Sequence, residues 1–114
     1  METVTINGKV YIEKPSALSD NYVIVRTYSA GVHAGELESQ NGKEVTLKNA
    51  RRIYYWNGAA TLSDLAMNGT AKPEDCKFPC EVSEIRLTEA IEIIPCTEKA
   101  MHSIKGVKVW TMHK

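Results

Sequence analysis

The residues of this chain best equipped for chemistry are the run Arg51-Arg52-Ile53-Tyr54-Tyr55-Trp56-Asn57-Gly58. Guanidinium groups pair bidentately with phosphate, and aromatic faces stack on bases or on a guanidinium plane. In an extended strand Arg51, Ile53 and Tyr55 face one way, while Arg52, Tyr54 and Trp56 face the other. Each face therefore offers a guanidinium and at least one aromatic, which suits a nucleotide-like ligand. The same residues also describe a sheet with aromatics in its core and arginines snorkelling at the rim. Arg26 and Tyr28 repeat the two-residue spacing and extend the surface if the two strands pair.

Gly31-Val32-His33-Ala34-Gly35 holds two glycines between strand-like runs, with no helix after it to bind phosphate. One meaning is a sheet bend or the close approach of another backbone. The other is a ligand contact that glycine permits, with His33 beside it. Cys76-Lys77-Phe78-Pro79-Cys80 raises the question of zinc, but structural zinc needs four ligands, and Cys96, His33 and His102 are scattered. Three reduced thiols without a metal or cofactor are expected. No phosphate-loop, dinucleotide, zinc-protease or nucleophile-elbow motif occurs, and no catalytic residue is assigned.

Short elements must position these groups. Residues 1–20 read as an N-terminal β-hairpin turning at Asn7-Gly8, followed by a linker with Pro15. Residues 21–114 form the core of a single domain. Tyr22–Tyr28, Val32–Glu38, Glu44–Leu47 and Arg51–Trp56 are strand-like runs joined by short turns, with Asn49-Ala50 separating the last two. Thr61 with Asp64 begins a short helix that ends at Gly69, and Thr97 caps a second reaching Ile104. Residues 70–81 form a loop, Val82–Ile94 is extended, and Val107–Trp110 makes a closing strand. The fold class is β-rich α+β: an antiparallel meander with an N-terminal hairpin and two short helices.

At 114 residues, with 43% hydrophobic and 25% charged residues, the chain has the composition of a globular domain. Such a length buries roughly two-thirds of the unfolded surface, so a core forms without disulfides. Lys plus Arg and Asp plus Glu both number 14, so no global basic field draws a nucleic acid polymer or an anionic membrane. Charge is unevenly placed, with a basic stretch at 43–52 and an acidic one at 81–98. Contact between unlike patches, and the limited concavity of a small domain, point to a homo-oligomer.

Three segments, Val25–Gly35, Ala50–Ala59 and Leu87–Pro95, together resemble a family of small tailed-phage and prophage proteins catalogued as a domain of unknown function. The resemblance spans about residues 22–104 and assigns no catalytic residues. It implies residence in the host cytoplasm and a role in countering host defence or in accessory replication and assembly. Combined with the arginine–aromatic run, it gives the expectation of a non-enzymatic sponge that sequesters a small phosphate-bearing nucleotide signal. Arg26, Tyr28, His33, Arg51, Arg52, Tyr54, Tyr55 and Trp56 are the candidate ligand-binding residues. The alternative is a protein-binding module that inhibits a host enzyme or supports virion assembly.

Overall fold

In the computed structural model, residues 17–111 are described in full, together with the backbone of two short strands, β1 (Thr5–Ile6) and β2 (Lys9–Val10). β1 and β2 pair antiparallel, Thr5 with Val10 and Ile6 with Lys9. The rest of the expected hairpin, including the Asn7-Gly8 turn, lies outside the described residues.

The run Tyr22-Val23-Ile24-Val25 forms the middle of β3 (Leu18–Thr27), and all four residues are buried. A strand covered on both faces needs no polar alternation, which is why β-branched residues follow one another here. β3 pairs antiparallel with β4 (Val32–Asn41), β4 with β5 (Glu44–Arg52), and β5 with β6 (Glu81–Leu87). The last strand, β7 (Ala90–Thr97), returns to the other side of β3, giving the order β6-β5-β4-β3-β7.

β6 and β7 thus lie at opposite edges of the sheet, yet only Thr88 and Glu89 separate them in sequence. A flat sheet cannot satisfy both facts, so the sheet coils until the end of β6 reaches the start of β7 at this corner. Two backbone bonds fasten the corner: Ala90 N–H donates to the Lys43 carbonyl at 3.0 Å, and Tyr28 N–H to the Glu89 carbonyl at 2.9 Å. The coiled interior holds Val23, Val25, Val45, Leu47 and Leu87. The opposite face of β3, with Tyr22 and Ile24, is covered by helices α1 (Leu62–Asn68) and α2 (Glu98–Gly106) through Leu65, Ala66, Ala100 and Ile104. Each fully buried large apolar side chain contributes about 1.5–3 kcal/mol.

Both helices start as their sequences dictate. The Thr61 hydroxyl accepts from Asp64 N–H, and the Asp64 carboxylate reaches back to accept from Ala60 N–H. Thr97 accepts from Ala100 N–H and donates to the Met67 carbonyl at 2.7 Å, so the cap of α2 also holds the end of α1.

Three expectations need correction. Asn49-Ala50 does not interrupt β5. Asn49 adopts a left-handed φ of 49°, and with Ala50 it opposes Gly35 in a bulge, so the strand bends and continues. Residues 53–56 are not strand, because β5 ends at Arg52 and Tyr55 makes only an isolated bridge to Lys77. Val107–Trp110 is no sheet strand either. It lies beside the 70–81 loop, bridging Phe78 to Val109, with Trp110 N–H donating to the Phe78 carbonyl. Fully buried Phe78 makes that loop part of the core.

Candidate functional site

The turn between β3 and β4 is built around Thr27. Its hydroxyl accepts from Ala30 N–H at 2.8 Å and donates to the Gly31 carbonyl at 2.7 Å. Gly31 takes a φ of 86°, a conformation that favours glycine. The turn fixes the Ala30 carbonyl so that two side chains from neighbouring positions converge on it. Arg52 Nη1 donates to it at 2.7 Å, and His33 Nε2 donates at 2.9 Å. A carbonyl can only accept, so the His33 proton sits on Nε2. Burial, seconded by the neighbouring Arg52 charge, pushes His33 below its usual pKa, against the opposing effect of the Ala30 bond. A β-carbon at position 31 would come within 3.3 Å of Arg52 Nη1.

Next to this turn lies a cleft of about 390 Å³ lined by Arg52, Tyr54, Trp56, Ile53 and residues 29–32. Tyr54 is 63% exposed but not loose. Its ring stacks on Trp110 with centroids 5.2 Å apart and planes 9° from parallel. Trp56 is held from the other side, half-buried against the helical core, with its indole N–H donating to the Ala59 carbonyl. A guanidinium and two fixed aromatics therefore border one opening.

The other candidates fall elsewhere. Arg51 is 2% exposed, with its guanidinium spent on the carbonyls of Pro79, Ile104 and Phe78 at 2.8, 2.8 and 3.0 Å. It also sits 5.5 Å from the Phe78 ring centroid, so the rim-arginine reading fails and Arg51 is an internal tie. Arg26 pairs with Glu92 at 2.9 Å on the β7 side. Tyr28 borders a separate depression with Lys43, Glu89 and Ile91. Tyr55 is exposed, with the Lys77 ammonium 5.8 Å from its ring centroid. His33 borders a smaller pocket of about 170 Å³ that shares Arg52 with the cleft and holds Cys80.

Trp110 and Lys77 escaped the reading of the sequence. Lys77 Nζ lies 5.6 Å from the Trp110 ring centroid as well as over Tyr55. A tryptophan placed in a supposed closing strand gave no sign that it would back Tyr54.

The basic and acidic stretches meet within the chain. Lys48 and Glu84 are cross-strand partners joined at 3.2 Å, Lys48 also reaches Glu38 at 3.6 Å, and Arg51 pairs in register with Glu81. Among the described residues no group of three or more His, Cys, Asp or Glu side chains could hold a metal ion. Among them, too, no helix is long and apolar enough to cross a membrane.

Residues 20–104 match the family model described as a domain of unknown function, DUF6948. No curated protein and no solved structure matches the chain. With the match running from β3 through α2, and so taking in the turn, the cleft and the Arg51 tie, the chain belongs to the DUF6948 family.

Proposed function

We propose that the chain binds a small phosphate-bearing nucleotide, without transforming it, in the cleft between the β3–β4 turn and residues 52–56. The observation that carries this reading is Arg52, exposed at a cleft also lined by Tyr54 and Trp56. Arg52 uses Nη1 on the Ala30 carbonyl, which leaves the rest of its fork to donate to phosphate oxygens. Tyr54, supported by Trp110, and Trp56 offer rings for a base. The described side chains lining this cleft are those of Ser29, Ala30, Val32, Arg52, Ile53, Tyr54 and Trp56, a set suited to retention more than to acid–base turnover. In the phage or prophage setting that the sequence resemblance implies, such retention would act as a sponge for a nucleotide immune signal of the host.

The test is a panel of linear and cyclic nucleotides titrated against the folded protein by calorimetry. Arg52→Ala is expected to weaken binding roughly ten- to hundredfold, through loss of about 1.5–3 kcal/mol of charged hydrogen bonding. Ligand recovered after heating should be chemically unchanged. A folded protein that binds none of the panel would sink the proposal. The second reading, a protein-binding module, is favoured by exposed Tyr55 and Val109 beside Lys77 and Trp110, and pull-down of a partner lost on Tyr55→Ala would support it.

A further inference from the structure

β6 is a seven-residue strand at the open edge of the sheet, containing neither proline nor glycine. Such an edge presents unpaired backbone groups and is a template for another strand. The opposite edge is differently furnished. β7 carries Pro95, which has no N–H, and its Ala90 N–H is already spent on the Lys43 carbonyl of the β4–β5 hairpin. β6 is therefore the edge left for a partner, and its charges say which partner.

We propose that β6 pairs antiparallel with β6 of a second copy of this chain about a two-fold axis through Ile85. In that register Glu84 stands opposite Arg86 of the second copy, and Arg86 opposite its Glu84, on one face of the joined sheet. Cross-strand opposite charges stabilise a pair of strands, while like charges directly opposite destabilise it. Period-two alternation requires an axis normal to the sheet to pass through a residue, so the nearest competing axes can be enumerated. An axis at Glu84 sets two carboxylates face to face, and an axis at Arg86 sets two guanidinium groups face to face.

The charges leading to this edge fit the same pattern. Lys48 of β5 bridges Glu38 and Glu84, giving a row of alternating sign across the sheet. Arg86 of the second copy continues that row beyond Glu84. Among the described residues Arg86 makes no ion pair within its own chain. Half-buried Ile85, which packs against the coiled interior, would meet its own symmetry mate.

The experiment uses the full chain, Arg86→Glu, Glu84→Arg, and a one-to-one mixture of the two, each first shown to keep the wild-type circular dichroism. Sedimentation equilibrium from micromolar to millimolar concentration should find a wild-type dimer. Each single reversal turns two attractive pairs per dimer into two repulsive ones, so self-association should weaken roughly ten- to hundredfold. The mixture should recover dimers, because one variant then presents two acids and the other two arginines. A monomeric wild type, single variants that dimerise as the wild type does, or a mixture that stays monomeric would each overturn the proposal. The result is independent of nucleotide binding, since neither residue lines the cleft.

Discussion

Arg51 Nη1 lies 2.8 Å from the carbonyl oxygen of Ile104, so a strand side chain closes the last turn of α2. The terminal carbonyls of a helix have no partner within it, and a cation there also meets the negative end of the helix dipole. The same guanidinium satisfies Phe78 and Pro79, and so it joins β5, the 70–81 loop and α2 at one point. Burial lowers its pKa, but no ordinary pH discharges a guanidinium.

Replacing Arg51 by Ala would strip a charged donor from three carbonyls that water reaches poorly, leaving Phe78 and Ile104 only their backbone donors Trp110 and Val107. A loss of about 3 kcal/mol is expected, from charged hydrogen bonds given up and the Pro79 carbonyl left without its donor. Arg51→Lys should recover little of it, because one ammonium cannot span three carbonyls arranged for a planar fork. Arg52→Ala, one residue away on the exposed face, should change stability by less than about 1 kcal/mol. Urea unfolding of the three variants checks the contrast, and equal losses at the two positions would contradict it.

That contrast shows where the sequence was readable and where it was not. Alternation separates Arg51 from Arg52, as strand geometry requires, but it cannot tell which of two basic residues faces a helix arriving some fifty residues later. The meander was legible because Tyr22–Val25 and the caps Thr61 and Thr97 are local signals. Locality also explains the failures. Asn49 resembled a chain break because its left-handed bulge depends on Gly35 across the ladder. Trp110 and Phe78 find their roles only through contacts between the 70–81 loop and the end of the chain. The coiling of the sheet follows from β7 returning to β3, a long-range pairing without a short-range marker.

The three cysteines should differ sharply in reactivity. Cys80 is exposed, while Cys76 is buried against Asn57 and Cys96 is fully buried. Burial pushes the Cys96 thiol up to about 12, leaving almost no thiolate at mildly alkaline pH. A disulfide reagent should titrate one thiol per native chain within minutes and all three in denaturant. Rapid native modification of Cys96 would show that the packing around α2 opens readily.

Stability should fall on mild acidification, partly through His33. Its folded pKa lies below the usual 6.5, so in the interval below 6.5 the unfolded chain binds more protons than the folded one. Stability therefore rises with pH through that interval and levels off above it. His33→Gln keeps a donor for the Ala30 carbonyl but cannot titrate. Its thermal midpoint should drop less than that of the wild type between about pH 7.5 and about pH 5.5. Parallel curves for the two proteins would assign the acid sensitivity to other groups.

Gly35 carries a packing constraint. A β-carbon there would sit 2.9 Å from Ala50 Cα and 3.1 Å from the Lys48 carbonyl oxygen, both backbone atoms of the bulged partner strand. Neither can turn aside as a side chain would, so Gly35→Ala must push β4 from β5 where the hairpin bends. Overpacking of this kind costs about 1–3 kcal/mol. Gly106, at the end of α2, is the natural comparison, since a β-carbon added there would meet nothing within 4 Å and the position does not require a positive φ. Gly106→Ala should be neutral or stabilising by about 0.4–1 kcal/mol, because alanine narrows the unfolded ensemble. Chemical denaturation of both variants decides the point. A tolerated alanine at position 35 would mean that the hairpin bend is not held by backbone contact with Ala50.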